Sequence, residues 1–204
     1  MLPSLQQAEL HPGDRMSLEE FLWRWERIPE LKQAELIEGV VYLASPVSRV
    51  HGTYEGILSG WLNYYALTAG QNFEIGHNTT TLIGKSSLQP DIFLTRPTPG
   101  TKYLEKTPDL IIEICYSSRA YDLGPKLEAY RTAGLCDYLT VLLEEQRVEW
   151  RVLSGTRYRL LHQPKDGILR PAHFPALWLD TKALFPPDRK KLFGVVDQGV
   201  AAAK

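Results

Sequence analysis

The sequence predicts a fold of mixed α and β structure, and three observations support this prediction. Ser17-Leu-Glu-Glu20 has the capping-box form, in which an N-cap hydroxyl precedes a glutamate by three residues and an apolar helical pattern follows. A longer apolar stripe recurs at helical spacing between Val50 and about Thr68. The C-terminal half carries short apolar runs separated by turn residues, which is typical of strands.

The first predicted elements are a helix and a hairpin. The helix should run from Ser17 to about Arg27 and end before Pro29, because proline cannot continue a helix. Ala34 to Ala44 contains two short apolar runs around Glu38-Gly39, which predicts a β-hairpin with a tight turn. For Glu38 we favour the turn position over a role in a functional site.

The middle of the chain should contain the longest helix and a buried strand. The long helix is expected to end near Gly70, which suits a left-handed cap. Phe73 to Ile83 and Asp91 to Leu94 have the pattern of paired strands. A loop over 96–107 then precedes the apolar run Leu110 to Cys115, which predicts a strand covered on both faces.

The remaining elements are a second helix, three strands and a tail. The helix is predicted over about Leu123 to Ala133, and the strands over Leu139 to Leu143, Val148 to Leu153 and Tyr158 to Leu161. After Phe185 a loosely ordered tail is expected. The chain is therefore divided into a lead segment, one folded domain and a tail, with bounds 1–16, 17–185 and 186–204.

Composition limits the classes of function. With 44% hydrophobic and 23% charged residues, the 204 residues can bury a core without disulfides. Cys115 and Cys136 have neither the paired spacing of a zinc site nor the number of a disulfide framework, so a reducing cytoplasm suits them. The N-terminus lacks a signal-peptide pattern, and no run reaches the roughly 18 apolar residues of a membrane span. We expect a soluble, cytoplasmic protein with no membrane partner.

The net charge weighs against a tight, non-specific binder of nucleic acid. The formal charge is −1, so DNA contact would have to come from a local patch. Five basic residues fall in or beside loops near the candidate site, although each is more typical of a solvated surface charge: Arg49, Lys85, Arg96, Lys102 and Arg119.

Two carboxylates are candidate ligands of a hard divalent cation. Asp109 and Glu113 lie on one predicted strand, roughly 13 Å apart at 3.3 Å per residue, and cannot share a metal. Asp91 can lie beside Glu113 if the two strands pair. A carboxylate in an apolar run such as Leu110-Ile-Ile-Glu-Ile114 is costly to bury unless it is paired, ligated or protonated. Asp91 and Glu113 are therefore the predicted pair.

A lysine follows these acids in the chain. Lys126 lies four residues after Asp122, so both project from one face of the predicted helix. A surface ion pair is the plain interpretation. The alternative is a site role, in which the ammonium orients an attacking water or stabilises charge on a phosphate, as in a metal-dependent phosphodiesterase.

An ordered set of short motifs resembles a nuclease family. The set comprises Glu35-Leu-Ile-Glu-Gly39, Ser45-Pro46, His51, Gln89-Pro-Asp91, Pro108-Asp-Leu-Ile-Ile-Glu113 and Asp122…Lys126…Tyr130…Gly134. Together these motifs resemble the Uma-type (DUF820-like) restriction endonucleases of the PD-(D/E)XK superfamily, over about 17–185. The resemblance implies a restriction-endonuclease-like mixed β-sheet flanked by helices. It also implies a divalent-metal-dependent endodeoxyribonuclease that uses Mg²⁺ or Mn²⁺.

The resemblance assigns roles residue by residue. Asp91 and Glu113 match metal ligands, and Glu35 matches a further acid that could bind the metal directly or through water. The superfamily often has Glu-x-Lys on one strand, but here Cys115 takes the lysine place. Lys126, on the following helix, matches the Uma-type lysine. His51 matches a family histidine, although a histidine at a helix start is more often a cap or surface residue.

Departures from the family pattern leave alternatives open. The stretch after Glu113 reads Cys115-Tyr-Ser-Ser-Arg119 where the family has Ser-Pro-Ser-Thr, and a buried strand thiol at Cys115 should be inert. These changes could alter the substrate groove. The first hypothesis is the DNA endonuclease, acting as a homodimer. The alternatives are an inactive nuclease-fold protein that binds nucleic acid or a protein partner, and an oligomeric scaffold whose five tryptophans and ten tyrosines pack an interface.

Overall fold

The fold is mixed α and β, as predicted. The computed structural model describes residues 9–116 and 118–203; Ser117, Lys204 and the first eight residues of the predicted lead segment lie outside this part. The helices of the described residues are α1 (Leu18–Trp25), α2 (Arg49–Thr68), α3 (Arg119–Asp122), α4 (Pro125–Thr132) and α5 (Arg189–Ala202). The strands are β1 (Ala34–Ile37), β2 (Val40–Leu43), β3 (Glu74–His77), β4 (Thr81–Ile83), β5 (Ser86–Leu88), β6 (Ile92–Thr95), β7 (Leu110–Cys115), β8 (Asp137–Leu142), β9 (Arg147–Ser154), β10 (Arg157–Leu160), β11 (Ile168–Leu169) and β12 (Leu179–Asp180).

The largest sheet has six strands in the order β10-β9-β8-β7-β6-β3. Strands β7 and β8 are parallel, and the other pairs are antiparallel. A parallel pair needs a crossover, and α3 and α4 supply it. The connection places both helices beside β7, the strand that carries Glu113.

A second sheet has four strands in the order β2-β1-β5-β4. Its hairpin β1–β2 is the predicted one, with Ile37 paired to Val40. Glu38 and Gly39 both have positive φ, of 48° and 83°, as a two-residue hairpin turn requires. The turn position favoured for Glu38 is confirmed. This sheet brings Glu35 on β1 towards the larger sheet.

Helix α1 begins where the capping box predicts. The Ser17 side chain accepts a hydrogen bond from the backbone N–H of Glu20 at 3.2 Å. The helix buries Phe21 against the hairpin, together with Leu10 of the lead segment. Burial of one apolar face is what holds a helix this short.

The core lies on both sides of the six-stranded sheet. Successive residues of a strand point to opposite faces. Ile112 and Ile114 of β7 pack in a cluster with α2 and α5, whereas Ile111 packs in another cluster with α4 and the four-stranded sheet. Aromatic residues fill much of this core; the largest fully buried side chains include Trp61, Trp150, Tyr130 and Tyr138.

The strand predicted over 73–83 is wrong as one element. Its first part, β3, pairs with β6 as expected, but β4 belongs to the other sheet. The chain turns at Asn78, which has φ 46° and donates its backbone N–H to the carbonyl oxygens of Pro90 and Asp91. Asparagine tolerates this left-handed conformation. Strand β5, with two serines in three residues, had no clear sequence signal.

The helix predicted over about Leu123 to Ala133 is confirmed as α4, and the short helix α3 directly precedes it. Gly124 separates α3 from α4, and a side chain there would lie 2.5 Å from the Ala120 carbonyl oxygen. Pro125 has no backbone N–H and restricts the residue before it, so it starts a new helix rather than continuing the old one.

The loosely ordered tail expected after Phe185 is wrong. Helix α5 begins at the N-cap Asp188, whose carboxylate accepts from the N–H of Lys191 at 3.1 Å. It buries Leu192, Val195 and Val196. Apolar residues at this spacing form one helical stripe, and its packing against α2 makes the segment part of the core.

Within residues 9–116 and 118–203, no helix combines the length and apolar character needed to cross a membrane.

Candidate active site

Asp91 and Glu113 are brought together by strand pairing. Ile92 of β6 pairs with Ile112 of β7 in antiparallel register, which places the residues on either side of these partners next to each other. The backbone N–H of Asp91 lies 3.4 Å from Oε2 of Glu113, and Oδ2 of Asp91 accepts from the N–H of Ile114 at 2.6 Å. The proximity predicted from the sequence is confirmed.

Asp109 has a different role from these two acids. Its carboxylate accepts from the Arg96 N–H at 2.8 Å and from the Thr95 hydroxyl at 3.2 Å. These bonds tie the start of β7 to the end of β6. The exclusion of Asp109 from the site agrees with this arrangement.

Lys126 is buried, with 5% of its surface exposed. Its ammonium lies 3.0 Å from Glu113 Oε1, 3.1 Å from Glu35 Oε1 and 3.7 Å from Asp122 Oδ1. The surface ion pair considered for Asp122 and Lys126 is therefore wrong, because the pair exists but is buried among other carboxylates. A single cation is shared by three acids that come from three elements of the fold.

Glu35 reaches the site from the second sheet. Its Oε1 also accepts from the N–H of Gln89 at 2.6 Å. This bond ties β1 to the segment just before Asp91. The further acid of the sequence pattern thus lies within reach of Lys126, as the motif order suggested.

His51 also points into the site. The Ser48 side chain caps α2 by accepting from the His51 N–H at 3.1 Å, and this fixes the first turn of the helix. Nε2 of His51 lies 3.2 Å from Oδ1 of Asp91, with 14% of the side chain exposed. The histidine is therefore a partner of Asp91 rather than a surface residue.

Asp122 also belongs to the site, a position that was not predicted from the sequence. Its side chain is buried and accepts from the Ser118 hydroxyl at 2.5 Å. The signal that could have found it was the spacing of four to Lys126, which was instead interpreted as a surface pair. Tyr130, whose hydroxyl donates to Glu113 Oε1 at 3.3 Å, appeared in the motif set without a role.

A polar group on α2 supports the turn that precedes Asp91. Glu55 accepts from Nδ2 of Asn78 at 3.1 Å and lies 2.9 Å from Nδ1 of His77. Nε2 of His77 lies 2.7 Å from the Ser59 hydroxyl. Asn78 lines the cleft, and its backbone holds Pro90 and Asp91. No spacing along the chain could have found this group, because its members come from α2 and β3.

Burial and crowding govern the charges. Burial raises the pKa of Glu113 well above its ordinary value, and the Asp91, Asp122 and Glu35 carboxylates raise it further, against the opposing effect of Lys126. Burial likewise raises the pKa of Glu35. The acids outnumber the cations, so the cluster carries an excess of negative charge whenever its carboxyls are ionised.

The neighbouring carboxylates raise the pKa of both basic groups of the site. Burial alone would lower the pKa of Lys126, but the carboxylates of Glu113 and Glu35 outweigh it and hold that pKa well above its usual range. The hydrogen bond to Asp91 raises the pKa of His51, against an opposing effect of burial. Both groups therefore favour the charged form beside the acids.

The donor set has the chemistry of a magnesium or manganese site. Carboxylate oxygens are the ligands that hard divalent cations prefer, and the excess negative charge is what such a cation would neutralise. As placed, Glu35 and Glu113 bind the ammonium of Lys126, and Asp91 binds the Ile114 N–H. In this arrangement, no three histidine, cysteine or acidic side chains in the described part of the chain converge closely enough to hold a metal. Asp91 and Glu113 fit a metal by chemistry, and their carboxylates would have to turn to share one.

The site opens into a cleft of about 200 Å³ between the two sheets. Its lining includes all the site residues named from the sequence: Glu35, His51, Asp91, Glu113 and Lys126. None of the five basic candidates for DNA contact lines this cleft among the residues that are described. Lys102 pairs with Glu26 at 2.6 Å, and the Arg96 guanidinium stacks 4.5 Å over Phe73, so both are engaged elsewhere.

Cys115 is buried at the end of β7, and burial raises the pKa of its thiol. A buried, protonated thiol is a poor nucleophile. The expectation that Cys115 is inert fits this environment.

Comparison with known proteins gives a family and a fold. The model of the Uma2 family, described as "Putative restriction endonuclease", matches residues 18–182. A crystal structure from Anabaena variabilis, described as a "putative nuclease belonging to DUF820", superposes with a TM-score of 0.65 at 17% sequence identity. The match covers 89% of this chain and 99% of the other. No curated protein matches the chain.

Proposed function

The chain belongs to the Uma2 family, and from this premise we propose that it is a divalent-metal-dependent endonuclease that hydrolyses DNA phosphodiester bonds. The observation that carries the proposal is the buried ammonium of Lys126, shared by Glu35, Glu113 and Asp122 beside Asp91. Buried charges of this kind cost stability unless they are fully paired, and such clusters are concentrated at functional sites.

Asp91 and Glu113 would hold the cation, with Glu35 as a further ligand directly or through water. Magnesium or manganese at this place would supply positive charge next to the phosphodiester and make a nearby water more acidic. His51 would keep Asp91 oriented through its contact with Oδ1, while the Ile114 N–H holds Oδ2. Both contacts restrict the rotation of the Asp91 side chain.

Lys126 would act on the reacting groups. If its carboxylate partners held a cation, the ammonium would be free to donate a hydrogen bond to the attacking water or to the charge that develops on the phosphate. Tyr130 donates to the same Glu113 oxygen as Lys126 and so can help retain that carboxylate. Tyr130 is thus a positioning residue in this proposal.

The test is cleavage of supercoiled and linear DNA with magnesium, with manganese or with a chelator. Asp91→Asn, Glu113→Gln and Lys126→Ala are compared with wild type, and Glu128→Gln, an exposed acid on the same helix as Lys126, is the matched control. We expect metal-dependent nicking that the three site variants abolish and the control keeps. Cleavage that survives all three substitutions would refute the assignment of the site.

The alternative is a nuclease-fold protein that binds nucleic acid without cleaving it. The second candidate is favoured by the segment after Glu113, where Cys115 and Tyr116 depart from the family pattern and Tyr116 lines the cleft. Binding of DNA without cleavage in the presence of either magnesium or manganese would support this candidate. We also propose a homodimer, because two-fold dimers are the commonest oligomers of soluble proteins; a monomer mass in light scattering would contradict this.

A further inference from the structure

The mouth of the cleft is unusually apolar for the surface of this protein. Among the described residues, six large hydrophobic side chains are exposed: Val47, Val50, Leu67, Tyr116, Tyr121 and Leu160. Three of them, Val47, Tyr116 and Tyr121, line the cleft that holds the carboxylates. Single exposed hydrophobic residues need no explanation, but a group of them around one opening indicates a binding surface.

The aromatic rings at this opening are held in place. Tyr121 is half-exposed, at 48%, and its ring meets Tyr42 edge to face with 5.0 Å between centroids. Tyr42 comes from β2 and Tyr121 from α3, so the contact joins the two sides of the cleft. Tyr116 directly follows β7 and is also half-exposed, at 47%. Both exposed rings therefore lie at the entrance to the catalytic carboxylates.

The charge around the cleft does not suit a duplex. DNA duplexes carry about one negative charge per 1.7 Å, and proteins bind them mainly by neutralising phosphates with several lysines and arginines. The described lining contains four acids against Lys126 and His51, and both of these cations already contact carboxylates. Arg119, the first residue of α3, pairs with Glu145 at 3.1 Å. Phosphate contacts alone would bind a duplex weakly here.

Single-stranded nucleic acid has exposed base faces that can contact the rings at this cleft, and a duplex does not. Unpaired bases expose their faces, and bases that stack on aromatic side chains strengthen binding beyond what phosphate contacts alone supply. In a duplex these faces are covered by neighbouring bases. Aromatic rings beside acidic catalytic groups therefore fit a strand whose bases are unstacked where it enters.

We propose that the substrate is single-stranded nucleic acid, or a single-stranded portion of a larger one, with bases stacked on Tyr116 and Tyr121. This inference rests on the proposed function, because it names the strand on which that site acts. The phosphodiester bond would reach the carboxylates while the adjoining bases remain at the mouth of the cleft. Val47 would add an apolar contact on the same opening.

Binding is measured by fluorescence anisotropy with a labelled single-stranded DNA oligonucleotide and with its blunt duplex, in the presence of chelator so that cleavage cannot intervene. We expect the single strand to bind about tenfold or more tightly than the duplex. Tyr121→Ala and Tyr116→Ala should each weaken single-strand binding about tenfold, the loss of one stacked base. Tyr121→Phe, which keeps the ring, should bind like wild type.

Leu160→Ala is the control, because Leu160 is also exposed but lies on the edge strand β10, away from the cleft lining. It should leave binding unchanged. Equal or tighter binding of the duplex would overturn the inference, and so would alanine variants of both tyrosines that bind the single strand like wild type.

Cleavage of the same two oligonucleotides with manganese separates this inference from the proposed function. A binding preference for the single strand with no cleavage would refute the nuclease and support the strand inference. Efficient cleavage of the duplex without any preference in binding would support the nuclease and refute the strand inference.

Discussion

The two faces of β7 differ in what they bury. Leu110, Ile112 and Ile114 point to the cluster that includes apolar side chains of α2 and α5. On the other face Ile111 packs in its own cluster, and Glu113 meets Lys126 and Tyr130. One strand therefore builds both the core and the site. The first face contributes stability, whereas the second holds charges that stabilise the fold only as long as they are paired.

A buried acid on the apolar side, outside the cleft, provides a comparison for Glu113. Asp137 of β8 accepts from the Trp150 indole N–H at 2.7 Å and lies 2.6 Å from Nδ1 of His173. Its two oxygens each have a dedicated partner. Glu113 instead shares a single ammonium with two other acids. The Asp137 carboxylate is thus fully paired, whereas the positive charge beside Glu113 is divided among three acids.

The largest expected effect on stability comes from removing the shared cation. Lys126→Met would leave Glu35, Glu113 and Asp122 without their ammonium and should lower the free energy of unfolding by about 3 to 5 kcal/mol. Urea denaturation measures it. Lys191→Met, which removes an exposed lysine, is the control and should change stability by less than about 0.5 kcal/mol.

A double variant checks the reason for that loss. Adding Glu113→Gln to Lys126→Met removes one of the unpaired acids, so the double variant should be less destabilised than the sum of the single changes. Strict additivity would contradict the view that the two side chains form one buried unit.

The opposite face should respond through packing alone. Ile112→Ala removes a fully buried side chain from the α2 and α5 side and should cost about 3 kcal/mol. Cleavage of DNA, assayed well below the unfolding temperature, should stay close to wild type. If this variant lost activity while its fold was intact, the two faces of β7 would not be independent in function.

Helix α5 should contribute to the same face. Leu192→Ala is expected to destabilise the protein by about 2 kcal/mol, because the side chain is fully buried between α5 and the core. Its neighbour Lys190 is exposed, and Lys190→Ala provides the control. Thermal unfolding of both variants gives the comparison. A Leu192→Ala protein as stable as the control would mean that α5 does not pack in solution.

The smallest effect is the pH dependence of Asp137. Burial raises its pKa above the ordinary value of 3.8, although the hydrogen bonds to His173 and Trp150 lower it. A raised folded-state pKa favours the protonated form, so this acid's contribution to stability is greatest below 3.8 and falls as pH rises through the folded pKa. Relative to wild type, Asp137→Asn should therefore gain stability with rising pH over that window. Unfolding curves measured between about pH 3 and about pH 7 check this. A stability difference between the two proteins that does not change with pH would contradict the prediction.

Much of the local structure could be predicted because its causes are local. The Ser17 capping box, the Glu38-Gly39 turn and the stripe of α2 each depend on residues a few positions apart. The pairing of Asp91 with Glu113 was also accessible, since a buried acid in an apolar strand needs a partner and the preceding strand offered one.

Other features depend on which elements meet. Asn78 divides the stretch predicted as one strand because its turn is held by the Pro90 and Asp91 carbonyl groups. Helix α5 carries a narrow apolar stripe in a charged and Ala-rich segment, and packing against α2 and β12 makes it part of the core. The spacing of Lys126 and Asp122 is typical of a surface ion pair. Burial against the second sheet instead makes them part of a cluster with Glu35.

The sequence by itself determined several elements, such as α1, α2 and the β1–β2 hairpin, and it determined that Asp91 and Glu113 belong together. The tertiary structure alone decided that Glu35 and Asp122 join them around Lys126, that His51 meets Asp91, and that tyrosines from β2 and α3 meet at the cleft. The physical reason is that periodicity reports which face of an element must be covered, but not what covers it. The effect of a charge depends on that cover, because an ion pair is weak in water and strong when buried.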